Sequence, residues 1–223
     1  MPVTTTREAI PAILVESPRF PGFPDAIMQP MQRSTQEIEV KLAFDSAAEA
    51  LRRLGDLGAV ECRPRQHEDN VVFDRESDPL RPAGKLLRLR RSGDAALLTF
   101  KRRIRPDDRH KVSEEHETFV DDARALTAVL GGLGFSPAYR YEKFRTQFAL
   151  DGLSICLDET PIGCFVELEG PPERIDAAAG ALGFTPRDYV RSTYLELHAR
   201  AIERGEVPPG DLVFRGGEVP RAR

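Results

Sequence analysis

The chain has 223 residues, 40% of them hydrophobic and 30% charged, with a formal net charge of −4. That suffices for one domain with a real core plus tails, and the small negative charge gives no general case for nucleic acid or an anionic membrane as partner. No apolar run reaches the length of a membrane span, and no basic-then-apolar start marks a secretory signal. Three scattered cysteines (Cys62, Cys156, Cys164) without CxxC spacing read as reduced thiols of a cytoplasmic protein, and the four histidines lack zinc-ligand spacing.

Residues 1–33 are rich in proline (Pro11, Pro18, Pro21, Pro24, Pro30) and lack periodicity, which predicts a flexible leader, with Met28 or Met31 as alternative starts. The domain is expected over residues 34–204, followed by a tail over 205–223 in which Leu212-Val213-Phe214 can dock. The first strand is Glu37-Ile38-Glu39-Val40-Lys41. Side chains alternate faces along a strand, so Glu37, Glu39 and Lys41 share one side while Ile38, Val40 and Leu42 share the other. Asp45 or Ser46 then caps a helix to about Leu57, with Ala47, Ala50, Leu51 and Leu54 at helical spacing and Gly58 to end it. A strand is predicted near Gln66–Asp74, then a turn at Ser77-Asp78-Pro79. Leu86–Arg91 and Ala96–Ile104 flank Ser92-Gly93-Asp94, a hairpin signal, and Lys111–Val120 is the next strand. Asp121 or Asp122 caps a second helix to Leu133. Arg140–Leu150 and Leu153–Asp158 form another hairpin about Asp151-Gly152, and Phe165–Glu169 is the last strand. Pro171-Pro172-Glu173 opens a third helix through Leu182, and Ser192–Arg204 reads as a fourth. Strands joined mostly as hairpins, with a few inserted helices, argue for an antiparallel α+β barrel or sandwich.

Period-two reading gives one repeated pattern of like charges on one face and apolar residues on the other. Arg88 and Arg90 are backed by Leu87 and Leu89, and Thr99, Lys101 and Arg103 by Leu98 and Phe100. Glu115 and Glu117 align; Lys143 and Arg145 are backed by Phe144 and Phe148, and Glu167 and Glu169 by Val166 and Leu168. If helices cover the apolar backs, the charges line an interior channel. Enclosed bases then need an anion of high charge, and enclosed carboxylate pairs need divalent cations. A metal-bound polyphosphate meets both demands. Periodicity does not decide which face is inside, and a sandwich with its charges in water fits the same pattern.

The ordered set of these segments resembles a known family. Glu37-x-Glu39-x-Lys41 is similar to the ExExK signature of the CYTH superfamily, the triphosphate tunnel metalloenzymes. The rest follow in matching order: Leu87-Arg88-Leu89-Arg90, Leu98-Thr99-Phe100-Lys101, Glu115-x-Glu117, Lys143-x-Arg145, Asp158 and Glu167-x-Glu169. Gly163-x-Phe165 and Ser192-x-Tyr194-x-x-Leu197 add to a likeness that spans roughly Gln36–Arg204. The resemblance implies an α+β fold: an eight-stranded antiparallel tunnel-like β-barrel, helices packed outside, holding a triphosphate with Mg²⁺ or Mn²⁺. It implies a catalytic centre at Glu37, Glu39 and Lys41. Metal ligands would be Glu37, Glu39, Glu115, Glu117, Asp158, Glu167 and Glu169, and the triphosphate would be held by Lys41, Arg88, Arg90, Lys101, Arg103, Lys143 and Arg145. Val72-Phe73-Asp74 departs from the Tyr-Phe-Asp that many relatives carry there.

The implied activity is metal-dependent hydrolysis of an inorganic or organic triphosphate. A class IV adenylate cyclase needs the same clamp and is the alternative; a non-catalytic polyphosphate- or nucleotide-binding module is the third reading. The expected partner is a small triphosphate, with neither nucleic acid nor membrane, and a homodimer is compatible. RNA binding by the basic hairpin Arg81–Lys111 would need outward bases with interleaved aromatics, which Phe100 alone supplies poorly. Gly84-Lys85 lacks the upstream glycine of a P-loop.

Overall fold

The computed structural model describes residues 35–105 and 109–215. The expected leader, residues 1–33, lies outside the described residues. The strands are β1 (Thr35–Phe44), β2 (Val60–Asp74), β3 (Lys85–Ser92), β4 (Ala95–Arg105), β5 (Lys111–Phe119), β6 (Ser136–Leu150), β7 (Leu153–Thr160) and β8 (Gly163–Glu169). The helices are α1 (Ala47–Asp56), α2 (Ala123–Gly132), α3 (Pro172–Ala181) and α4 (Tyr194–Glu203). All eight strands pair antiparallel and close into a ring in the order β1-β5-β4-β3-β2-β6-β7-β8.

Local chemistry explains the joints. Asp151 and Gly152 have φ of 45° and 76°, the paired left-handed conformations of a tight hairpin turn, and they bring Leu150 opposite Leu153. Ser46 caps α1 by accepting from Glu49 N at 3.2 Å, and Asp122 caps α2 by accepting from the backbone of Arg124 and Ala125. Thr193 and Glu196 form a reciprocal capping box at the start of α4, so that helix begins two residues later than Ser192. β2 and β6 each run 15 residues, and β2 extends well beyond the expected Gln66 start. The stretch Val60–Arg65 contains Pro64 and no alternation; register shifts between Glu61, Arg63 and Gln66 let it follow β6 all the same.

The apolar strand faces point outward, beneath the helices. α1 and α3 cover β1, β7 and β8, burying Leu42, Leu54, Ile155, Leu157, Val166, Leu168, Ile175 and Leu182. Each such side chain contributes about 1.5–3 kcal/mol of transfer free energy. Around α2, Phe73, Leu80, Leu87, Leu89 and Leu130 form a second cluster over β2 and β3. The charged faces therefore turn into the ring, and the sandwich with its charges in water is excluded.

A third apolar cluster lies within the ring. Tyr139, Tyr141, Phe165, Tyr194 and Leu212 pack together, with Tyr194 carried in on α4. The Tyr139 hydroxyl and His198 Nδ1 are 2.9 Å apart. Beyond α4 the chain returns to β6: Leu212 N donates to Arg140 O at 3.0 Å, and Glu142 N donates to Leu212 O at 2.8 Å. Leu212 is buried there, so this stretch docks on the ring. Among the described residues no helix is long and apolar enough to cross a membrane.

Candidate active site

The interior of the ring divides into an acidic and a basic side. Glu37, Glu39, Glu115, Glu117 and Glu169 come from β1, β5 and β8; β1 pairs with β8 so that Glu39 stands directly opposite Glu169. Like charges in that register repel unless a cation lies near. Lys101 of β4 supplies one: its ammonium donates to Glu37 and lies 2.9 Å from Glu115 Oε2 and 3.7 Å from Glu39 Oε2. Lys111 Nζ donates to Glu39 Oε1 at 2.6 Å.

Two ammonium groups, with Arg88 farther off at 3.9 Å from Glu115 and 3.8 Å from Glu117, stand against five carboxyls, and the carboxyls divide in their response. Burial pushes the Glu37 carboxyl up to about 8 against the pull of Lys101, helped by its hydrogen bond to Glu115 and the charges of Glu115 and Glu169. Burial likewise raises Glu117 and Glu169, each with carboxylate neighbours adding to the shift. Burial would raise Glu39 too, but Lys111 and Lys101 outweigh it and hold that carboxyl at about 2. Crowded, hard oxygen donors with surplus negative charge suit a divalent cation such as Mg²⁺ or Mn²⁺. Among the described residues, no three of these acids already stand as a ligand cage.

The basic side has its counter-anions built in. Asp158, fully buried on β7, accepts from Lys143 Nζ at 2.8 Å, from Arg145 Nε and Nη2 at 2.6 Å each, and from the Tyr194 hydroxyl at 2.7 Å. Arg145 Nη2 also donates to Glu167 Oε2 at 2.5 Å, and Lys41 Nζ lies 3.4 Å from Glu167 Oε1. Lys41 sits over the Tyr194 ring, 4.0 Å from its centroid, and donates to Ser192 O at 3.3 Å. Arg88 donates to the Tyr141 hydroxyl and to Thr99 Oγ1, both at 3.2 Å. Arg90 Nε donates to Asn70 Oδ1 at 3.2 Å, and Glu68 Oε2 lies 3.4 Å from Arg90 Nε and 3.6 Å from Lys143 Nζ.

Of the residues singled out in the sequence, Glu37, Glu39, Lys41, Arg88, Arg90, Lys101, Glu115, Glu117, Lys143, Arg145, Asp158, Glu167 and Glu169 all fall on inward strand positions. Asp158 and Glu167 stand among the bases, their oxygens engaged by Arg145 and its neighbours. Arg103 shares the parity of Lys101 but is exposed. Arg102, of opposite parity, is exposed and donates to Glu114 Oε2. Glu68, Asn70, Lys111, Tyr141 and Tyr194 join the interior without having been singled out as site residues. Strand parity could have found Lys111, in phase with Glu115, and Tyr141, in phase with Lys143, whereas Glu68 and Asn70 share a strand with no singled-out residue to set the phase and are placed inward by the pairing of Asn70 with Arg90. Tyr194 reaches the interior from a helix, where strand parity is silent.

The sequence model of the CYTH domain matches residues 35–182. The chain is similar in structure to a candidate adenylate cyclase from Vibrio parahaemolyticus, with 19% identity, a TM-score of 0.63, and coverage of 74% of this chain and 98% of that one. A protein from Pyrococcus horikoshii is 25% identical with a TM-score of 0.60, covering 72% of this chain and 98% of its own. A candidate adenylyl cyclase from Hippeastrum, described as having dominant triphosphatase activity, is 18% identical with a TM-score of 0.56, covering 78% and 98%. No curated protein matches the sequence significantly. The family match takes in every strand of the ring, and the chain belongs to the CYTH domain family.

Proposed function

We propose that this chain is a metal-dependent triphosphatase that holds its substrate inside the ring. The observation that carries the reading is the division of the interior: surplus carboxyls on β1, β5 and β8 face bases on β3 and β6. A triphosphate bridged by divalent cations is complementary to both, and CYTH membership supports a triphosphate substrate and a divalent metal. Glu37, Glu39, Glu115, Glu117 and Glu169 would hold Mg²⁺ or Mn²⁺, which when bound neutralises phosphate oxygens and activates water. Asp158 and Glu167, with their oxygens committed to Lys143 and Arg145, position the clamp.

Arg88, Arg90, Lys143, Arg145 and Lys41 would grip the phosphates. Lys101 is free to turn to a phosphate oxygen once its carboxylates take up a cation. Arg103 would stay outside the clamp, since it is exposed. The functional domain would extend to residue 215, because Leu212 is part of the interior cluster. Free thiols at Cys62, Cys156 and Cys164 support a reducing, cytoplasmic setting. The test is to incubate the protein with tripolyphosphate, ATP or thiamine triphosphate, with Mg²⁺ or Mn²⁺, and separate the products. Metal-dependent orthophosphate release is expected; cyclic AMP and pyrophosphate as the main products from ATP would make the chain a cyclase.

A further inference from the structure

Among the described residues, four buried side-chain atoms have no hydrogen-bond partner: Glu68 Oε2, Asn70 Nδ2, Arg88 Nε and Ser113 Oγ. The first three lie together. Asn70 is opposite Arg90 and Val72 is opposite Arg88 across the β2–β3 pair, and Glu68 is one inward position along from Asn70. Asn70 is fully buried, and its carbonyl is already taken by Arg90 Nε at 3.2 Å, which fixes the amide so that Nδ2 is the unmet group. Leaving such an atom unmet inside a protein carries the full desolvation penalty of the group, so a cluster of them points to a ligand that completes it.

The three atoms ask for different things. Arg88 Nε and Asn70 Nδ2 are donors and fit acceptor oxygens or ring nitrogens. Glu68 Oε2 is an acceptor that stands near Arg90 and Lys143 without a hydrogen bond to either. A metal-bound phosphate chain presents acceptors only; it would satisfy the two donors and be repelled by Glu68. The group that meets all three carries a hydrogen-bond donor beside an acceptor, such as a hydroxyl or an amino group on a heterocycle.

Resting on the triphosphatase reading, we infer that Glu68 and Asn70 form a subsite for the organic group of an organic triphosphate. Glu68 accepts a hydroxyl or amino hydrogen of that group and Asn70 Nδ2 donates to its neighbouring acceptor. Glu68 then marks where the phosphate chain ends, and the preferred substrate is a donor-bearing organic triphosphate, in preference to inorganic tripolyphosphate.

The test compares kcat/KM, in Mg²⁺ or Mn²⁺, for two donor-bearing substrates (ATP and thiamine triphosphate) and two donor-free ones (tripolyphosphate and methyl triphosphate). In the wild type at least one donor-bearing substrate should exceed both donor-free ones by about tenfold or more, the scale on which an unmet buried polar group discriminates. Glu68→Gln should erode that advantage by a similar factor and raise the rate on tripolyphosphate, because a repelling charge is gone. Asn70→Ala should lower the donor-bearing rate more than the donor-free ones. A wild type that prefers the donor-free substrates overturns the inference. So does a Glu68→Gln change of equal factor on all four, which would make Glu68 only the counter-anion of Arg90 and Lys143. No turnover of any of the four by the wild type overturns the triphosphatase reading and takes this inference with it.

Discussion

The two sides of the tunnel wall share one sequence pattern, paired like charges on alternate strand positions, yet they solve the problem of enclosed charge in opposite ways. On the acidic side, Glu37, Glu39, Glu115, Glu117 and Glu169 outnumber Lys101 and Lys111, and the crowding shows as upward shifts on Glu37, Glu117 and Glu169, with Glu37 reaching about 8. On the basic side, Arg90, Lys143 and Arg145 are met by built-in carboxylates at Glu68, Asp158 and Glu167, while Arg88 lies between the two sides, 3.9 Å from Glu115 and 3.8 Å from Glu117. The difference follows from the groups themselves. A carboxyl can take a proton when crowded and give it up again to a metal ion, whereas a guanidinium keeps its proton throughout and must be balanced by the chain.

The largest expected effect breaks the basic side. Asp158→Asn removes the charge that receives Lys143 Nζ and Arg145 Nε and Nη2, leaving Arg145 only Glu167 and Lys143 only the more distant Glu68, and should cost about 3–5 kcal/mol in urea unfolding. Glu169→Gln, on the acidic side, should leave the metal-free protein as stable or more so, because it relieves crowding. Equal losses for the two would erase the distinction between the sides.

Next in size are the clamp residues. Arg88→Ala and Lys101→Ala should each weaken tripolyphosphate binding, measured by calorimetry with Mg²⁺ present, by about 2–5 kcal/mol. Arg102→Ala removes only an exposed pair with Glu114 and should change binding by less than about 0.5 kcal/mol. Matching effects at Lys101 and Arg102 would contradict the inward face.

Smaller still is the pH dependence, in which the two kinds of carboxyl act with opposite sign. Glu37 rises from its ordinary 4.5 to about 8, so the folded chain keeps a proton that the unfolded chain releases, and stability falls as pH climbs through that window. Glu39 and Glu68 are held at about 2, so their contribution is present above 4.5 and is lost as pH falls toward 2. Metal-free thermal melts should therefore peak near pH 5. A cation must displace the Glu37 proton, so metal affinity should climb by up to about tenfold per pH unit below pH 8 and then level. A melting temperature still rising between pH 5 and 8 without metal would contradict the burial of Glu37.

Strand parity made most of the ring legible in the sequence, because a two-residue repeat survives whatever the tertiary context. The direction of each face was not legible: Leu42, Val166 and Leu168 look the same from either side until α1 and α3 are placed over them. Nor was the partition of the acids. Glu167 and Glu169 share one strand face, but Glu167 meets Arg145 and Lys41 while Glu169 meets Glu39, a consequence of register between strands distant in sequence. Tyr194 and Leu212 enter from a helix and a returning segment and carry no periodic signal.

The central claim is that the acidic side takes the cation and the basic side the phosphate. Calorimetric titration of Mn²⁺ into the wild type, Glu39→Gln and Arg90→Ala tests it most directly. The account predicts that Glu39→Gln loses about tenfold or more in Mn²⁺ affinity while Arg90→Ala binds as the wild type does. Undiminished affinity in Glu39→Gln, or an equal loss in Arg90→Ala, would contradict it.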